Sequence, residues 1–167
     1  LQLLGWRNVP RDSEVIGWLA REEEPFMAQV FVGKASGQDQ QAFERKLYVV
    51  RKMTSWTIWA LTLTGAEQYY AASMSSRTIV YKGLMLPEMM DRYYSDLSDP
   101  DCESAIAVVH QRYSTNTLPS WPLAQPFRFL AHNGEINTLR GNINSMNSLD
   151  HHFESPLFEG SDVKKLI

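Results

Sequence analysis

One cysteine, Cys102, stands among the 167 residues, so no intrachain disulfide and no multi-thiolate zinc site can staple this chain. Its fold must be held by buried apolar surface. The material for that is present, since 44% of the residues are apolar and 21% charged, the balance of an ordinary globular domain. At about this length a domain hides roughly 70% of the surface its unfolded chain exposes. A disordered tail and a collagen-like rod are excluded. A lone cysteine also suits a reducing compartment, so the expected location is the cytoplasm.

The formal net charge is −3, which does not suit a protein that binds by neutralising a phosphate backbone, so nucleic acid is not an expected partner. The uncharged stretch 53–66 is threaded with Thr and Ser and falls short of the roughly 18 apolar residues of a spanning helix. No membrane segment is expected. The opening LQLLGWR reaches Arg7 too soon for a secretory signal. It begins without methionine, and the ending DVKKLI closes it abruptly. It reads as an internal portion of something longer, truncated at both ends.

Local patterns predict a mixed α and β chain with one domain. Ser13, Glu14 and the spacing of Val15, Ile16 and Leu19 predict a capped helix closing near 21–24. A strand is expected over 26–32 and a loop over 34–41. The β-prone block 47–50, the alternating Thr-rich run 56–61 and the segments 69–73 and 78–81 predict further strands, so that β-structure dominates the middle third. Pro87 opens a short helix through Tyr93, and SDLSDP (95–100) is a turn cluster. A buried strand is expected over 104–109, an extended proline-rich loop over 119–126, strand-like structure over 127–131 and a weak helix over 136–149.

Two segments could carry chemistry. In HQRYST (110–115), Arg112 can grip a carboxylate through its planar fork while the hydroxyl of Thr115 or a backbone N–H takes another oxygen. In AHNGEIN (131–137), the Asn133 amide and the Gly134 N–H aim two donors into one small space, as an oxyanion requires. Each has a plainer reading, a solvated arginine for the first and an Asn-Gly hairpin turn for the second. Other chemistries fare worse. His110, His132, His151 and His152 lack metal-ligand spacing, no GxSxG elbow exposes Ser114 or Ser120, and no GK[ST] follows the glycines of GEINTLRG. Cys102 lies in an acidic turn without an adjacent base, a poor setting for a nucleophile. No metal site is expected.

The blocks LGWRNVP (4–10), FERKLYVVRK (43–52), SSRTIVYKG (75–83), HQRYSTNTLPSWPLAQPFR (110–128) and LAHNGEINTLRGN (130–142) closely resemble the amidotransferase domain of glutamate synthase large subunits. HxRxST with HNG alone is common to class II glutamine amidotransferases; the other blocks resemble glutamate synthase in particular. The resemblance implies an α+β chain forming part of a four-layer αββα Ntn-hydrolase fold, mainly antiparallel sheets with flanking helices. It implies an N-terminal cysteine that attacks the side-chain amide of L-glutamine, using its free α-amino group as base and releasing ammonia. Arg112 matches the arginine that binds the glutamine α-carboxylate, with Thr115 beside it, and Asn133 and Gly134 match the oxyanion hole.

By the same resemblance, these residues lack the nucleophile, and the amine-binding aspartate is expected beyond Ile167, not at Asp162. The Thr-rich run 54–65 matches no block of the family and is expected to fill a variable connection. The chain alone is expected to be inactive. The parent enzyme is expected to pass ammonia to 2-oxoglutarate at an FMN site with a 3Fe–4S cluster, with electrons from NADPH, NADH or ferredoxin. Its partners would be synthase domains of the same polypeptide and a small NADPH-oxidising subunit, and a ferredoxin-dependent parent would reside in a plastid. The rival expectation is a non-catalytic module, derived from the same family, that binds an amino acid or a partner protein.

Overall fold

The computed structural model describes residues 1–135, 139–158, 162, 163 and 166. It divides into two compact units, 1–36 with 80–133 and 37–79 with 134–167.

In the first unit, strand β1 (Gln2–Asn8), not foreseen from the sequence, pairs antiparallel with β2 (Ala28–Gly33). Asn8 lies opposite Ala28, and the register shifts between Leu3 and Gly5. The helix expected from Ser13 breaks into a 3-10 turn (Ser13–Val15) and helix α1 (Trp18–Glu22). Asp12, not Ser13, caps the turn by accepting the Glu14 N–H at 3.0 Å. The break falls at extended Ile16, which is buried in the core, and at Gly17, a poor helix former.

That core is aromatic. Tyr93, Tyr94, Trp121 and Ile16 are buried together, and the Tyr93 and Tyr94 rings meet edge to face at 4.6 Å between centroids, the arrangement their quadrupoles favour. The polar ends of these side chains are satisfied: Trp121 Nε1 donates to the Ala20 carbonyl at 3.0 Å and Tyr94 to the Lys82 carbonyl at 2.8 Å. Tyr93 donates to Glu24, which also accepts from Ser13 and Arg11. Burial alone would raise the Glu24 pKa, but the three donors together hold it below the usual carboxylate range. Pro87 opens a 3-10 turn (Pro87–Met89) that runs into helix α3 (Met90–Tyr93), as expected.

In the second unit a long helix stands where the first two strands of the middle third were expected. Helix α2 (Gln40–Ala60) occupies both blocks expected to be strands, 47–50 and 56–61. Asp39 caps it, accepting the Ala42 N–H at 3.0 Å, and all residues from Gln40 to Lys46 except Phe43 are good helix formers. Phe43, Leu47, Val50, Thr54 and Ile58 recur at the helical period; Phe43 and Leu47 are buried. The Ser and Thr residues are accommodated by back-bonding: Thr54 donates to the Val50 carbonyl at 2.9 Å and Ser55 to the Arg51 carbonyl at 3.2 Å. The run 54–65 is therefore the end of α2 and the turn that follows it. Glu44 of α2 accepts the Ser75 hydroxyl and the Ser76 N–H, both at 2.8 Å, fixing the start of SSRTIVYKG.

The expected strands at 69–73, 78–81 and 104–109 are absent among the described residues, where β1 and β2 are the named strands. Segment 104–109 is not buried either: Ile106 and Val109 are each 80% exposed. An apolar run forms a buried strand only where another strand and a covering layer receive it, and neither lies against this one among the described residues. Of the strand-like segment 127–131, a single antiparallel bridge from Phe127 to Leu130 forms. Helix α4 (Leu139–Leu149) confirms most of the expected C-terminal helix; residues 136–138 lie outside the described residues.

Candidate functional site

Residues 110–115 and 131–135 of the two candidate motifs lie in irregular backbone, where no ladder or helix fixes their shape; 136 and 137 lie outside the described residues. Side chains do that work instead. Tyr113 donates to the Gly83 carbonyl at 2.7 Å and accepts the Met85 N–H at 3.2 Å. Burial raises its pKa, which keeps the phenol proton in place for this bond. Arg112, Ser114 and Thr115 beside it are exposed.

Three residues before Tyr113, His110 directs Nε2 at the His132 carbonyl (3.0 Å) and at Asn133 Oδ1 (2.7 Å). HQRYST and AHNGEIN, 22 residues apart by this contact, are thereby joined. Arg112 lies two residues from His110, so its Cα is within about 7 Å of that of His110. Its backbone is held between two anchored residues, and its guanidinium has no hydrogen-bond or ion-pair partner among the described residues. Five donors are therefore free to take a planar carboxylate.

The backbone around Asn133 is held from a second side. Gln125 accepts the His132 N–H at 2.7 Å and donates to the His132 carbonyl at 2.9 Å. Gln125 follows the 3-10 turn Trp121–Leu123, which Lys82 grips on the side next to Gln125. The buried ammonium donates to the Pro122 carbonyl at 2.7 Å and the Ala124 carbonyl at 2.9 Å, and burial lowers its pKa to about 8. Asn133 is exposed, with Oδ1 engaged and Nδ2 without a partner among the described residues. Gly134 follows it directly and is exposed. Thr115 lies beyond Tyr113, exposed and without a described hydrogen-bond partner.

Asp162 has its carboxylate 3.6 Å from Lys46 Nζ at the wall of a cleft of about 380 Å³ lined by Val49, Val50, Met53 and Ile58. Cys102 is exposed, just past the Asp99 turn. Among the described residues, no group of three or more His, Cys, Asp or Glu could hold a metal ion, and no helix is long and apolar enough to cross a membrane. Lys82, Tyr113 and Gln125 were not singled out from the sequence. Lys82 carried a usable signal, a cation amid the apolar run IVYKGL.

An exposed arginine two residues from the histidine that holds an exposed amide is an arrangement that suits the class of enzymes that open an amino-acid side-chain amide. The sequence matches the family described as glutamine amidotransferases class-II over residues 1–167, and the chain belongs to that family. Among its relatives, the glutamate synthase [NADPH] large chain of Bacillus subtilis (strain 168) is 50% identical over 167 residues, covering 99% of this chain and 11% of the relative. The ferredoxin-dependent, chloroplastic glutamate synthase of Oryza sativa subsp. japonica is 44% identical over 162 residues, covering 97% and 10%. The large chain from Azospirillum brasilense is 44% identical over 167 residues, covering 99% and 11%. This chain thus spans about a tenth of the length of these relatives.

Proposed function

We propose that these residues form the substrate grip and oxyanion donors of the glutaminase site of a glutamate synthase large chain. Arg112 binds the α-carboxylate of L-glutamine through paired N–H donors, with Thr115 adding a hydroxyl. A cysteine thiolate from elsewhere in the large chain attacks the side-chain amide carbon. The amide C=O electrons move onto oxygen, and the Asn133 Nδ2 and the Gly134 N–H donate to that oxyanion. Collapse of the tetrahedral species breaks the C–N bond, with the leaving nitrogen protonated to ammonia, and water then hydrolyses the thioester to L-glutamate. The observation that supports this reading is the His110 bridge, which ties the Arg112 motif to Asn133.

In the parent, ammonia would aminate 2-oxoglutarate with electrons from NADPH, NADH or ferredoxin. Cys102 as sole cysteine cannot supply the thiolates of a 3Fe–4S cluster, so the cluster would be held by other parts of the large chain, which would also carry the FMN site; the parent would reside in the cytoplasm or a plastid. The wider domain would be the four-layer αββα fold, of which 1–167 is a portion, and a small NADPH-oxidising subunit would be a further partner. The chain alone would not turn over glutamine.

In the full-length large chain, Asn133→Ala is expected to lower glutaminase kcat by on the order of 10²–10³ with little change in KM. Arg112→Lys is expected to raise KM for glutamine, because an ammonium cannot reproduce a two-pronged grip. An Asn133→Ala enzyme with unchanged kcat would overturn this reading and favour a binding module.

A further inference from the structure

Asn133 can stabilise an oxyanion only if its NH₂, not its oxygen, faces the substrate, and an amide side chain turned over by 180° presents the wrong atom. We propose that His110 and Gln125 are positioning residues that set which end of the Asn133 amide meets the substrate. The proposal rests on the glutaminase reading of Asn133 and adds two residues to it.

The hydrogen-bond chemistry leaves one solution. His110 Nε2 lies 3.0 Å from the His132 carbonyl, and a carbonyl only accepts, so Nε2 must carry the proton. The same N–H lies 2.7 Å from the Asn133 side chain, which must therefore offer an acceptor there. That atom is Oδ1, and the NH₂ is turned away from His110. The reverse orientation would set N–H against N–H. The logic holds only while the His132 carbonyl stays in place, and this is what Gln125 provides. Its amide pairs with both backbone groups of His132, at 2.7 and 2.9 Å, so the His132 carbonyl accepts from Gln125 and His110 together, one hydrogen bond on each lone pair. Because the peptide linking His132 to Asn133 is planar, fixing that carbonyl also fixes the Asn133 N–H. Neither side chain needs to touch glutamine.

The test is a mutant cycle in the full-length large chain, read as glutaminase kcat and KM. His110→Ala and Gln125→Leu are each expected to lower kcat by on the order of 10–100-fold with KM within about threefold of wild type, the signature of a displaced catalytic group. His110→Ala combined with Asn133→Ala is expected to fall within about threefold of Asn133→Ala alone, because a residue acting only through Asn133 has nothing left to act on. His110→Gln places an amide N–H near the position of Nε2 and should restore most of kcat, whereas His110→Asn is too short and should not. This last pair carries the test if His110→Ala fails to fold. Losses that multiply in the double variant, equal activity of the Gln and Asn variants, or wild-type kcat in His110→Ala and Gln125→Leu would each overturn the proposal. If Asn133→Ala itself leaves kcat unchanged, it is the glutaminase reading that falls.

Discussion

A methyl group added at Gly83 would come within 2.6 Å of both the Trp121 ring and Met85 Cε. The Met terminus can swing away, but Trp121 is 2% exposed and its indole is tethered to Ala20. Gly83→Ala is therefore expected to destabilise the fold by about 1–3 kcal/mol, the cost of overpacking, as a lowered urea midpoint. The close approach matters for the candidate site, because Trp121 begins the turn that leads to Gln125, and the Gly83 carbonyl is the acceptor that anchors Tyr113. At this scale, Arg112 and Asn133 stand out in the sequence as candidates because guanidinium and Asn-Gly chemistry is local and directional. Gln125 and Tyr113 were not, since an amide before a proline and a tyrosine in a polar run show no function until the chain brings His132 and Gly83 to them.

Helix α2 shows where local propensity misleads. Its residues Leu47, Tyr48, Val49, Val50, Trp56, Thr57 and Ile58 have the composition of strands, and alternation can be read into 56–61. What decides is the cap at Asp39, the six good helix formers among the seven residues after it, and the stripe from Phe43 to Ile58 that a strand would split across two faces. Thr57 is exposed on this helix, which yields a prediction whose sign separates the two structures. Thr57→Ala is expected to stabilise the chain by roughly 0.5 kcal/mol, the difference in helix propensity, measured as a raised urea midpoint; in a strand the same change would destabilise. Legible elements were those with local stop and start chemistry, such as β2 and the turn opened by Pro87. The segments at 78–81 and 104–109 misled because strand formation depends on a partner, and sequence windows contain no information about partners.

Across the molecule, titrating groups of the first unit give the stability a defined alkaline profile. Lys82, lowered by burial from 10.5 to about 8, holds fewer protons folded than unfolded between those values, so stability rises as pH increases through that window. The neutral amine keeps two N–H donors, enough for its two carbonyls. Tyr81, raised from 10.0 to about 12 by burial and by donation to Asp96, acts in the opposite sense: its contribution is intact below pH 10 and lost as pH climbs toward 12. Tyr93, raised further by burial and its bond to Glu24, adds to that loss. Urea midpoints are therefore expected to climb from about pH 8 to 10 and then fall. Lys82→Met should flatten the rising limb and leave the falling one. A wild-type midpoint that declines steadily from pH 8 would contradict this assignment.

The pairing of Gln125 with His132 gives the molecule an internal clock. The His132 N–H belongs to no helix or ladder, yet it is locked to a side chain at 2.7 Å, so its deuterium uptake should lag behind that of the exposed loop around it. Its exchange rate would then time the opening of the loop that carries Asn133, and a bound L-glutamine analogue that slowed this one amide without altering those over Tyr93 would mark closure confined to that loop.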